Sequence, residues 1–355
     1  MNAFYRVIGL MSGTSLDGLD VAQCTFELSN NQWQYNIERA ITYPYSDEWK
    51  KKLSEAEHLQ GIDLMLLHNE FGKFSGQRVN QFLETSPIKI DFIASHGQTI
   101  FHQPDKGITL QIGNGAVIAA TTGITTIADF RTLDVALGGQ GAPLVPIGDK
   151  MLFNDYDFCL NLGGFANISY TNPENKRVAF DVCPVNIVIN HLVKERKLNF
   201  DPEGSIGSKG SVSSDLLDDL NNLTFYQQSG PKSLGKEWVW KCFMPILNQY
   251  QLSLEDTLRT VYEHIVIQTK QIISVKSGRS ILVTGGGAHN QFLIKLLQQN
   301  LALKITLPTA QVIDFKEALI FAFLGVLRYR NEQNCLSNVT GARIDNIGGV
   351  IFQLK

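Results

Sequence analysis

Cysteine is scarce in this chain. There are five in 355 residues, at Cys24, Cys159, Cys183, Cys242 and Cys335. Their number is odd, their spacings are wide and no C-x-x-C occurs, which argues against a disulfide framework and a structural zinc site. Free thiols in a chain this long fit a reducing cytosol. Long apolar runs are also missing. The longest, residues 318–327, is ten residues, where a membrane-spanning helix needs about 20. The apolar stretch at residues 7–11 is too short for the core of a secretory signal. Neither sign of charge dominates: 31 Lys+Arg stand against 34 Asp+Glu, a net charge of −3. A general nucleic-acid binder, whose affinity comes from neutralising phosphates, is therefore not expected. No Gly-Lys-[Ser/Thr] ending of a Walker A loop, no H-E-x-x-H and no nucleophile elbow occurs. The expectation is a cytoplasmic protein without nucleic-acid or membrane partners.

What is abundant is apolar residues, at 44%, and glycine, with thirty. The composition is globular, and the length suggests two domains or one duplicated unit. Residues 5–11 read as a strand, Ser12 to Gly18 as a turn, and residues 19–28 as a second strand, together a β-hairpin. Residues 33–43 read as a third strand. Residues 48–57 and 63–83 have helical spacing, with Leu66, Phe71, Phe74 and Phe82 expected in the core. Residues 90–94 read as a buried strand ending in a polar loop, Ser95-His96-Gly97-Gln98-Thr99. A helix opened by Asn114 and a short strand at 125–128 follow, then a long loop from Thr132 to Pro143.

The pattern then partly repeats. Residues 158–162 and 168–170 flank a Gly-containing turn, and residues 178–180 read as a strand ending at Asp181. A helix begins at Asn186, residues 201–214 read as a flexible crossover, and residues 254–275 read as a long amphipathic helix. Residues 280–284 form a strand leading through Gly285-Gly286-Gly287-Ala288-His289-Asn290 into the next helix, and residues 316–329 form another. Alternating strands and helices, with a hairpin opening each half, predict a duplicated α/β protein of two lobes with a cleft between them. The boundary is placed near residue 145, giving lobes of 1–145 and 146–355.

Five features could carry chemistry. Gly13, Thr14, Ser15, Leu16, Asp17 and Gly18 form a turn whose N–H groups and hydroxyls could wrap a phosphate, or an ordinary hairpin turn. Asp17 and Asp20 could hold magnesium, which takes few carboxylates and keeps waters. Gly163 and Gly164 allow close backbone approach at the second hairpin. Gly285, Gly286 and Gly287 let a planar or anionic ligand lie against a helix N-terminus. His289 reads equally as a polar cap. Asp181 is a candidate general base or a turn aspartate. His96, Asp129, Arg131, Asp134 and Glu317 form a polar group that could bind sugar hydroxyls or a carboxylate, or make structural ion pairs. His68 and His102 read as structural residues.

Read together, these segments resemble the anhydro-N-acetylmuramic acid kinase family. The match runs from Gly9-Leu10-Met11-Ser12-Gly13-Thr14-Ser15-Leu16-Asp17-Gly18 through Ser95-His96-Gly97-Gln98-Thr99 and Leu110-Gln111-Ile112-Gly113-Asn114 to Ala128-Asp129-Phe130-Arg131. It continues with Gly138-Gly139-Gln140-Gly141-Ala142-Pro143-Leu144, Asn161-Leu162-Gly163-Gly164-Phe165-Ala166-Asn167 and Thr284-Gly285-Gly286-Gly287-Ala288-His289-Asn290. Lys316-Glu317-Ala318 and Val339-Thr340-Gly341-Ala342 complete it.

The resemblance implies a duplicated actin-like ATPase (ribonuclease H-like) fold closing on ATP and Mg²⁺. It implies phosphorylation of 1,6-anhydro-N-acetylmuramic acid with hydrolytic opening of its 1,6-anhydro ring, in cell-wall recycling. A related 1,6-anhydro sugar, or a non-catalytic ATP-binding module, are the alternatives. Asp181 would be the base and Gly13 to Asp20 the ATP phosphate loop. Gly163 and Gly164 would face that loop, and Gly285, Gly286 and Gly287 would lie beside the adenosine. His96, Asp129, Arg131, Asn186 and Glu317 would serve the sugar. A homodimer is the prior for any such oligomer. One segment departs from the family's Phe-Asp-Thr-Gly-Pro-Gly-Asn: here it reads Phe180-Asp181-Val182-Cys183-Pro184-Val185-Asn186. Larger apolar residues replace a threonine and two glycines beside the base, which implies a subfamily variant or an altered substrate.

Overall fold

The computed structural model describes residues 3–84, 88–228, 230–274, 276 and 278–354. Its strands are β1 (Ala3–Ser12), β2 (Gly18–Ser29), β3 (Gln32–Pro44), β4 (Phe92–Gln103), β5 (Ile108–Ile112), β6 (Thr126–Ala128), β7 (Phe158–Leu162), β8 (Phe165–Thr171), β9 (Arg177–Pro184), β10 (Ser280–Thr284), β11 (Lys304–Thr306) and β12 (Val350–Phe352). They form two sheets. The first runs β12-β6-β4-β1-β2-β3, with β5 also paired to β4; the second runs β11-β10-β7-β8-β9.

Both sheets follow one plan. Three strands joined by short turns form an antiparallel meander, β1-β2-β3 and β7-β8-β9. Two further strands then add in parallel beside the first: β4 and β6 in one sheet, β10 and β11 in the other. Parallel neighbours need crossovers, and the crossover segments carry helices. The repeated strand order is that of the duplicated ribonuclease H-like, actin-like fold anticipated above. Buried strands such as β1, whose last six residues are all buried, are mainly apolar on both faces because both faces are covered.

The chain divides into two compact units, Met1–Leu152 with Phe315–Lys355, and Phe153–Asp314. The first boundary lies close to the expected one, but residues 315–355 belong with the first unit, not the second. Two observations explain the return. β12 pairs with β6, and helix Ala310–Tyr329, kinked at Phe315, seats its later turns on the first sheet. At Gly9 a Cβ would lie 2.0 Å from the Ala318 carbonyl oxygen, so only glycine lets β1 and this helix approach so closely.

Several expectations change at the level of elements. The segment Ser95 to Thr99 is not a loop: β4 continues through it, bulged against β1, and turns to pair with β5. Thr132 opens a short helix, Thr132–Ala136, rather than a long loop. Leu66 is 59% exposed; its neighbour Leu67 faces the core. The 201–214 segment is ordered by its buried first residue, Asp201. The carboxylate accepts from Ile206 N, Gly207 N and the Tyr262 hydroxyl. Asp181 sits inside β9, opposite Asn167, rather than at its end. The helix expected to reach Val275 is Leu254–Ser274; Val275 lies outside the described residues.

Candidate active site

In the first unit the β1–β2 turn leaves Thr14, Ser15 and Asp17 exposed. The turn is braced from below. Ser12, buried at its base, accepts from the Tyr45 hydroxyl at 2.5 Å and donates to Gln98 Oε1. Leu16 takes a positive φ of 58°, and Asp20 accepts from Thr42 Oγ1 at 2.6 Å.

His96 and Arg131 form one assembly. The His96 Nδ1–H donates to Gly97 O at 2.8 Å, which leaves Nε2 as an acceptor. Arg131 donates to that nitrogen through Nε at 3.0 Å and Nη2 at 2.9 Å, and through Nη1 to Gly141 O at 2.6 Å. Burial and the guanidinium hold His96 well below its usual pKa, hence neutral. Burial pushes Arg131 down to about 10, against the pull of Glu317. Asp134, which shares the polar group in sequence, is fully buried. It accepts from Gly141 N, Thr340 Oγ1 and Asn346 Nδ2, each at 2.8 Å, and from Cys335 Sγ at 3.0 Å. It therefore fixes Gly141, whose carbonyl fixes Arg131. Its role is structural.

A cavity of about 250 Å³ opens beside this assembly, with His96, Asp129, His68, Gln111, Asn114 and Thr132 on its wall. Asp129 follows β6 with φ of 61°, a conformation that aspartate tolerates better than most residues. His68 Nδ1 accepts from Gly113 N, and His102 contacts Thr109 Oγ1; both are partnered, as expected. Glu317 reaches solvent, yet the protein around it pushes its carboxyl pKa up, against Arg131 and Lys316. Lys316 itself forms a buried 2.7 Å ion pair with Asp149.

In the second unit three separated motifs meet. Val185 N and Ile187 N donate to Gly164 O, and Asn186 N to Gly163 O. The Asn186 side chain donates to Leu162 O at 3.1 Å. Gly285 has φ of 81°, and a Cβ there would lie 2.5 Å from Asn161 Oδ1 and about as close to the Leu162 backbone. The Gly163-Gly164 turn, Asn186 and the 285–287 loop thus form one patch. Asn290, not His289, caps helix Gln291–Asn300 by accepting from Leu293 N; His289 pairs with Asp314 at 2.6 Å.

Asp181 is half-buried. Its Oδ2 accepts from Leu234 N at 2.8 Å, and its own N–H donates to Lys232 O at 2.9 Å. Burial raises its carboxyl pKa, and the Leu234 N–H opposes the rise. The three unusual neighbours are core residues: Val182, Cys183 and Val185 are at most 1% exposed and join the hydrophobic core of this unit. The departure thus falls on side chains packed away from solvent. Sequence reasoning missed Lys232, Leu234 and the Cys335, Thr340 and Asn346 partners of Asp134. A backbone N–H has no residue signature, and the other three lie some two hundred positions from the group they serve.

A profile of the family described as Anhydro-N-acetylmuramic acid kinase matches residues 5–354. The chain is 36% identical over 380 residues to the anhydro-N-acetylmuramic acid kinase of Zymomonas mobilis subsp. mobilis, covering 98% of this chain and 99% of that one. It is 35% identical over 366 residues to that of Vibrio cholerae serotype O1, covering 97% and 98%. Among solved structures, it is similar to a ROK family glucokinase from Streptomyces griseus in complex with glucose and AMPPNP, at 9% identity and TM-score 0.41, covering 90% of this chain and 98% of that one. No helix among the described residues is long and apolar enough to cross a membrane. The chain belongs to the anhydro-N-acetylmuramic acid kinase family and is an ATP-dependent sugar kinase of anhydro-N-acetylmuramic acid recycling.

Proposed function

We propose that this kinase phosphorylates 1,6-anhydro-N-acetylmuramic acid while water opens its anhydro bridge, with Asp181 as general base. The water oxygen bonds to C1 as Asp181 takes its proton. The C1–O6 bond breaks, O6 accepts the γ-phosphoryl group, and ADP leaves, giving N-acetylmuramate 6-phosphate. The observation that carries this reading is the Asp181 carboxylate. It is half-buried, held at one oxygen by Leu234 N–H, and raised in pKa toward the range useful for a base.

The remaining roles follow the chemistry of each group. Gly13, Thr14, Ser15, Leu16 and Gly18 would bind phosphates, and Asp17 and Asp20 would reach them through a metal ion. Gly163 and Gly164 would let a phosphate approach the second turn closely, the Gly163 N–H itself being donated to Phe165 O at 3.1 Å. Gly285, Gly286 and Gly287 would admit the adenosine. Phosphoryl transfer needs mainly positioning and charge neutralisation. Asp17 and Asp20 offer the hard oxygen donors that suit Mg²⁺; that ion, when bound, would neutralise phosphate charge. Arg131 supplies a guanidinium locked by His96 and Gly141. With His96, Asp129, Asn186 and Glu317 it would serve the sugar. Packing of Val182, Cys183 and Val185 in the core favours a subfamily variant over a changed substrate. A cytoplasmic homodimer is the setting we infer.

The test is purified protein with ATP, Mg²⁺ and a panel of 1,6-anhydro sugars, scored for 6-phosphorylated product by mass spectrometry. Product from the N-acetylmuramic substrate is expected. Product only from sugars lacking the lactyl group would move the reading to a related anhydrosugar kinase. No product despite nucleotide binding would overturn it.

A further inference from the structure

We propose that the backbone of residues 232–234 is a positioning element that aims the Asp181 carboxylate, leaving Oδ1 to take the proton from water. The inference rests on the reading of Asp181 as base and adds the part that orients it. β9 is an edge strand of the second sheet, so one side of its backbone is open to further pairing. The 232–234 segment takes that side at Asp181. Lys232 O accepts from Asp181 N at 2.9 Å, and Leu234 N donates to Asp181 Oδ2 at 2.8 Å. One bond fixes the main chain of Asp181 and the other its side chain. Together they set the direction of the carboxylate, which a single contact would leave free to rotate. Oδ1 takes no hydrogen bond among the described residues.

The segment is itself anchored. Lys232 Nζ donates to Phe225 O at 2.9 Å and Gln228 O at 3.3 Å, at the end of helix Thr224–Gln227, and lies 4.4 Å from the centre of the Phe225 ring. A cation suits a helix C-terminus, and there it is committed to carbonyls rather than to the base. The titratable groups around Asp181 are this lysine, the buried Cys183 thiol and, beyond it, Tyr226. Burial keeps both acids protonated, so neither competes for the proton.

The test replaces Leu234 with its α-hydroxy acid analogue in the full-length chain, exchanging one amide N–H for an ester oxygen. Losing a hydrogen bond to a charged acceptor should move the acid limb of the kcat profile up by about one pH unit. It should also lower kcat about tenfold, with the KM for ATP unchanged. Leu234→Ala keeps the N–H and should leave the acid limb where it is. Lys232→Met should lower kcat without changing the KM for ATP. An ester protein with an unmoved acid limb and unreduced kcat would overturn the proposal, as would a Lys232→Met protein with full kcat. Full turnover in Asp181→Asn would instead remove the base itself, so the two failures are distinguishable.

Discussion

In the first unit the candidate site is made of side chains that hold one another; in the second it is made mostly of backbone. Asp134, Arg131 and His96 form a chain of buried hydrogen bonds that ends beside the cavity wall. The second unit has glycine turns, the backbone hydrogen bonds that join them to Asn186, and the Asp181 carboxylate held by a peptide N–H. Both are built on the same strand order. The fold therefore supplies positions, and the chemistry is added at turns and within strands, as at His96 in β4 and Asp181 in β9. A side-chain network holds a fixed polar group of one shape. A glycine-lined surface admits a flat or anionic group at close range, at the cost of leaving no room for a Cβ at Gly285 and Gly287.

The comparison can be broken in four places. The largest effect is expected at Asp181→Asn: loss of the base should lower kcat about a thousandfold and leave nucleotide affinity intact, as measured by steady-state kinetics and calorimetric titration. In the unaltered enzyme the raised Asp181 pKa has a definite sign. The carboxylate must be ionised to accept a proton, so kcat falls as pH drops through a value above the ordinary ~3.9 of aspartate.

Next is Asp134→Ala, which strands four buried donors. It should cost about 3–5 kcal/mol, read by calorimetry as a lowered transition for the first unit. An unchanged transition would mean that the network is not what holds the site. Arg131→Lys keeps the charge but loses the fork to His96; the KM for sugar should rise about tenfold with the KM for ATP unchanged. The smallest effect is expected at Gly286→Ala. There an added Cβ meets only Asn186 Nδ2, at 3.7 Å, so stability should hold. A rise of a few-fold in the KM for ATP would then report on the ligand rather than the fold. Gly285→Ala, forced into φ of 81° against Asn161, should disturb both.

The same contrast governs how much was legible in the sequence. The second unit's glycine turns and strands are readable because each depends on local residue type, whereas Asp181 reads equally as a turn aspartate and lies inside β9 rather than at its end. The first hairpin was readable for the same reason. What escaped was set by distant partners. Ser95 to Thr99 looks like a loop because its side chains are polar, yet it is strand, with Ser12 bonded to Gln98 and Arg131 to His96. From sequence Asp134 is one of a polar group open to either a binding or a structural role, and only its partners at Cys335, Thr340 and Asn346 decide for the second. The return of residues 315–355 to the first unit was hidden because no composition shift marks it. Leu234 acts through a group that every residue except proline carries.

The central claim is that water opens the anhydro ring as the phosphoryl group is transferred. The direct measurement is a short reaction of enzyme, ATP, Mg²⁺ and 1,6-anhydro-N-acetylmuramic acid in ¹⁸O-water, trapped by borohydride reduction. The account predicts one labelled oxygen at C1 of N-acetylmuramate 6-phosphate for each ADP formed, and none with Asp181→Asn. Label appearing only in inorganic phosphate, with no sugar phosphate, would contradict it.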